Sequence, residues 1–159
     1  MTKREEVIGK SLLQDMRKMK QAMAGYEYSF SKCREIKDKT KRSQAEEVEL
    51  EAFTARFARL TDLLTQKLLK GLVILLGENL PTFIDRANYA EKIGLTKSAQ
   101  SLRLIRELRN RIAHEYEEDS LEEIHALLFK VHEDFQSCIR NSMSYTQAVL
   151  RTLGVSEEE

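Results

Sequence analysis

Apolar side chains in this chain recur at steps of three and four residues, and little interrupts them. Val7, Ile8, Leu12, Met16, Met19, Met23, Phe30 and Cys33 keep that step over one stretch. Phe53, Phe57, Leu60, Leu64, Leu68 and Leu72 keep it over a second, and Leu121, Ile124, Leu128, Val131, Phe135 and Ile139 over a third. A helix returns to the same face about every 3.6 residues, so each series marks one buried stripe. No stretch alternates with the period of two that a half-buried strand needs. One proline and six glycines leave room for long helices. The expected fold is all-α: one domain over residues 1–159, an antiparallel up-down bundle of about five helices.

Local signals divide the chain. A first long helix is expected over about residues 5–37, with a possible bend at Gly25. Residues 37–42 are polar and form a connection. Ser43 and Glu46 make a capping box, from which a second long helix runs to about Leu76. Leu69, Val73, Leu75 and Leu76 widen its apolar surface at the far end, and Gly77 stops it. Pro81 suits the first turn of a short third helix and Gly94 its C-terminal cap, with Ile84, Tyr89 and Ile93 as its apolar side. Thr96 or Ser98 caps a fourth helix carrying Leu102, Ile105, Leu108 and Ile112. An acidic break at residues 117–119 precedes the last helix, for which Ser120 and Glu123 form a second capping box. The segment from Ser142 to Leu153 extends that helix or forms another. Gly154 ends it, and the acidic residues 156–159 are expected to fray.

The formal charge sums to zero, but it is unevenly spread. Residues 1–42 hold twelve Lys/Arg against six Asp/Glu, a balance of +6. Residues 117–159 hold three against ten, a balance of −7. Most of these charges read as solvated helix faces, while the basic N-terminal part could attract a polyanion such as RNA. Cys33 and Cys138 lie far apart without CxxC spacing and read as reduced, apolar filler in a cytoplasmic protein. The charged N-terminus has no apolar core of a signal peptide, and the run from Leu68 to Leu76 is too short to span a bilayer, so no membrane association is expected.

Chemistry concentrates in one octet, Arg109-Asn110-Arg111-Ile112-Ala113-His114-Glu115-Tyr116. A histidine can take a proton near neutral pH, and an arginine can hold a phosphate by two parallel hydrogen bonds. That pair suits metal-independent RNA cleavage. His114 would deprotonate a ribose 2′-hydroxyl, and Arg109 would offset charge on the attacked phosphate. Asn110 would orient one or the other. On a straight helix His114 lies beside Asn110 and Arg111, whereas Arg109 points elsewhere. The pair therefore meets only on a distorted helix, or across a homodimer with a composite site. Arg106 and Arg111 are possible RNA-phosphate contacts. No metal or cofactor set is apparent. His125 and His132 read as exposed or partly buried, Glu115 as solvated, and the tyrosines outside the octet as core or interface aromatics.

The octet resembles the R-x4-H-x-Y motif of the HEPN superfamily, in particular its HepT-like ribonuclease toxins. Arg109, His114 and Tyr116 match the fixed positions, and Asn110 matches the polar residue usual after the arginine. Arg106-Glu107-Leu108 before the motif and Ala113 and Glu115 within it are also similar. The resemblance implies a homodimer whose two motifs face one cleft, with Arg109 and His114 catalytic. It implies a toxin silenced by an MNT-type nucleotidyltransferase antitoxin, which transfers AMP to Tyr116. Two other classes compete: a non-catalytic nucleotide- or substrate-binding subunit associated with such a nucleotidyltransferase, and a plain helical dimerisation subunit.

Overall fold

The computed structural model describes residues 1–114 and 118–156, with residues 118–120 described as backbone only. The described residues form an all-α bundle of five helices and no strand. The first is α1 (Lys3–Arg34). The second is continuous through α2 (Gln44–Asp62), a π-helical stretch (Leu63–Leu68) and α3 (Leu69–Leu75). Then come α4 (Phe83–Lys92), α5 (Ala99–His114) and α6 (Glu118–Thr152). None of the described helices is long and apolar enough to cross a membrane.

Cross-helix contacts fix the directions. Cys33 reaches Glu49, Ser29 reaches Arg56 and Leu12 meets Gly71, so α1 and the second helix run antiparallel. Tyr26 meets His132 and Gly9 meets Val155, so α1 and the end of α6 are antiparallel too. Ser101 with Asp134 and Arg111 with Glu123 give the same sense to α5 and α6.

The caps follow the chemistry of each end. The Ser43 hydroxyl accepts the Glu46 N–H while the Glu46 carboxylate accepts the Ser43 N–H, satisfying two orphan donors. Thr2 and Glu5 repeat that box, so α1 begins at Lys3 rather than residue 5 and ends at Arg34, three residues short of the expected 37. Gly77, Gly94 and Gly154 all take positive φ where a helix closes. Ser98, not Thr96, caps α5 by accepting the Ser101 N–H. Thr82 caps α4, which leaves Pro81 just outside the first turn. The last helix begins at Glu118, ahead of Ser120, and runs unbroken through the Ser142 segment.

Two stripes sit differently from expectation. On α4 the buried residues are Arg86, Ala87 and Ala90, while Ile84 is exposed. Arg86 donates to the Leu80 and Pro81 carbonyls, and this fixes the rotation of the helix. At the start of α1, Val7 is exposed and Ile8 takes the inward side.

The core centres on an aromatic layer where α1, α2 and α6 meet. Tyr26, Phe53, Phe57 and Phe135 are fully buried, with Phe57 and Phe135 ring centroids 4.7 Å apart. His125 and His132 are buried rather than exposed or partly buried. His132 stacks on Phe30 at 3.5 Å between centroids, and its Nδ1 shares a hydrogen bond with the Tyr26 hydroxyl at 2.7 Å. Burial, then the Arg140 charge, lowers His132 to about 4, so the imidazole is neutral. Burial raises the Tyr26 phenol, which keeps its proton. Met16, Met19 and Met23 lie in the core as expected, as do both cysteines. Of the other tyrosines, Tyr28 is exposed, which leaves it the interface half of the core-or-interface reading, and Lys32 lies over its ring.

Candidate functional site

The octet begins on the last turns of α5, and Arg109 faces the second helix. Its Nε and Nη2 donate to the two oxygens of Asp62 at 2.7 and 2.9 Å, a bidentate pair. The pair keeps the guanidinium charged. Asp62 closes α2, and the next residue opens the π-helical stretch. Thr61 and Thr65 each donate a hydroxyl to the carbonyl four residues back, at 2.9 Å, inside or beside that stretch. Such back-bonding competes with the ordinary helical ladder and bends it. At the end of the stretch the Leu69 N–H reaches the Leu64 carbonyl, five residues back.

A cavity of about 630 Å³ opens between this stretch and α5. Its charged lining is Arg59, Lys67, Arg106 and Arg109 against Asp62 alone, with Asn110 beside them. Arg106 has its guanidinium carbon 4.3 Å from the centre of the Phe83 ring. Its Nη1 is buried with no hydrogen-bond partner among the described residues. Arg86, one helix away, sits below its ordinary value because of burial and then the Arg106 charge. A cleft built this way attracts anions.

The other octet residues divide. Arg111 donates to Glu123 at 3.2 Å, tying α5 to α6, and does not line the cleft. His114 is the exposed last residue of α5. That helix is regular α from Ala99 to His114. Five residues therefore separate His114 from Arg109 by about 140° around the axis. Of the two ways to unite the pair, a distorted helix is not what the described residues form. Tyr116 and Glu115 lie outside the described residues.

Sequence reasoning passed over Asp62, Arg59 and Lys67. The partner of Arg109 is 47 positions away and no local spacing points to it. The π-helical stretch did leave a trace. Leu60, Leu64, Leu68 and Leu72 are successive four-residue steps, which would drift about 120° around an ideal α-helix. All four are fully buried, and the helix widens between Leu63 and Leu68. No protein-family model, curated protein or solved structure matches the chain.

Proposed function

We propose that the chain is a metal-independent RNA endonuclease, the toxin half of a toxin–antitoxin or phage-defence module acting in the cytoplasm. The observation that carries this reading is the cationic cleft to which Arg106, Arg109 and Asn110 all contribute. In the reaction His114 takes the proton of a ribose 2′-hydroxyl. The alkoxide attacks the adjacent phosphorus while Arg109 offsets the added charge. The bond to the 5′-oxygen breaks, that oxygen takes a proton from water, and a 2′,3′-cyclic phosphate remains. Because Arg109 and His114 point apart on a regular helix, the working site is composite, with each supplied by a different copy in a homodimer. An MNT-type nucleotidyltransferase silences it by transferring AMP to Tyr116, which adds bulk and negative charge where RNA phosphate must enter.

Purified protein incubated with RNA and EDTA tests this directly. Wild type is expected to leave cyclic-phosphate ends, and His114→Ala and Arg109→Ala to leave the RNA intact. Mixing the two inactive variants should restore part of the activity, because one site of a mixed dimer then carries both native residues. Cleavage by His114→Ala at the wild-type rate would remove the nuclease reading. A single observation favours a second reading. Arg109 already spends two donors on Asp62, as a structural arginine does. That suits a non-catalytic nucleotide- or substrate-binding subunit associated with a nucleotidyltransferase, and an inactive wild type that accepts AMP on Tyr116 would establish it.

A further inference from the structure

A second cavity, of about 540 Å³, lies on the other side of α2. It is lined by Lys18 and Gln21 of α1 and by Arg56, Arg59 and Leu63 of the second helix. Every charged group in that lining is a cation. Arg59 and Leu63 also line the first cavity, so the two share a rim and form one groove over α2. Arg56 is held in place by Gly25 and Ser29 of α1, its Nη1 donating to the carbonyl at 3.0 Å and the hydroxyl at 2.7 Å. From Arg56 to Lys67 the groove follows eleven residues of helix, about 16 Å. That is enough for several consecutive phosphates. Among the described residues, the lining of the two cavities holds one carboxylate, Asp62, and Asp15 stands beside that lining. Asp62 is taken by Arg109, and Asp15 sits at the edge close to Lys18 and Lys67.

From this continuity we infer that the α1–α2 cavity is a second phosphate subsite, and that a single strand of RNA runs from the Arg106–Arg109 cleft across Arg59 to Lys18. The inference rests on the nuclease reading for the identity of the polyanion, and adds a path onto α1, remote from the octet. Neither cavity has an aromatic ring in its lining, so the strand is held by its backbone and not by base stacking. The groove binds without regard to sequence. The chain is neutral overall, so this attraction comes from where the cations stand and not from net charge.

Lys18 and Lys20 offer a clean contrast. Both are exposed lysines of α1, but only Lys18 lines the groove. Binding of a fluorescein-labelled 20-nucleotide polyuridine RNA would be followed by anisotropy in the His114→Ala background, so that cleavage does not interfere. Lys18→Glu and Arg59→Glu should each weaken binding about tenfold, and neutral Lys18→Gln should make the salt dependence shallower by about 0.7 in log–log slope. Lys20→Glu, with the same change of charge, should bind within about twofold of the parent. Thermal melts confirm that each variant is folded, as expected for exposed positions. Equal weakening by Lys18→Glu and Lys20→Glu would overturn the subsite, leaving only general attraction. Unchanged binding by Lys18→Glu beside a cleavage-competent wild type would also overturn it while sparing the nuclease reading. Sensitivity of RNA binding to Lys18 in a chain whose wild type does not cleave would support the subsite and remove the nuclease.

Discussion

The second helix touches two regions of the molecule built on different terms. Toward α1 and α6 it offers Phe53 and Phe57 to a layer of rings in which the polar atoms of Tyr26 and His132 satisfy each other. Toward α5 it offers Arg59, Asp62 and Lys67 to an open cavity, where the neighbouring Arg106 keeps a buried nitrogen with no hydrogen-bond partner among the described residues. The first region is closed and complete. The second holds more positive charge than the described residues neutralise. Two histidines follow the same division. His132 is stacked and neutral inside the first region, and His114 is exposed at the end of the helix that walls the second. Exposure, more than residue type, separates a histidine available to a substrate from one that only packs.

Breaking the closed region should cost the most. Phe57→Ala removes a fully buried ring in contact with Tyr26 and Phe135, and about 3–5 kcal/mol of stability should go with it in urea titration. A loss under about 1 kcal/mol would mean the layer is not the centre of the core.

Acid offers a gentler probe. His132 has an ordinary value of 6.5 and a value of about 4 in the fold, so between these only the unfolded chain takes up the proton. Its contribution is therefore full above about pH 6.5 and fades as pH falls toward 4, by at most about 3 kcal/mol. His125 is lowered by burial as well and acts in the same direction. Denaturation midpoints across that range should slope less in His132→Phe than in wild type. Equal slopes would show that His132 is not held neutral.

The open region should yield least. Asp62 is 43% and Arg109 29% exposed, and water screens such a pair. Asp62→Asn should shift stability by less than about 1 kcal/mol in the same titration. A shift as large as that of Phe57→Ala would place the cleft within the core and erase the contrast between the two regions.

What the sequence makes legible follows from range. The Ser43 capping box, the closing glycines and the three long stripes depend on residues a few positions apart, and each stands where the periodicity places it apart from Val7 and Leu121, the exposed first residues of two stripes. The burial of His132 depends on rings contributed by α1, so spacing along α6 alone did not reveal it. Ile84 misled for a similar reason. Ala87 and Ala90 look too small to define a face, yet they are what α4 buries, with the Arg86 bonds to the preceding loop holding that rotation. In the candidate site the octet's residue types suggested the chemistry, but the carboxylate gripping Arg109 came from a helix 47 positions earlier.

The π-helical stretch falls inside a single antiparallel contact with α1. Upstream of it, the second helix meets the middle of α1 through Arg56 and Ser29. Downstream, it meets the start of α1, where a methyl on Gly71 would come within 2.8 Å of Leu12. The helix therefore widens without leaving its neighbour. The widened turn lies beside Asp62, where the molecule opens its cationic cleft.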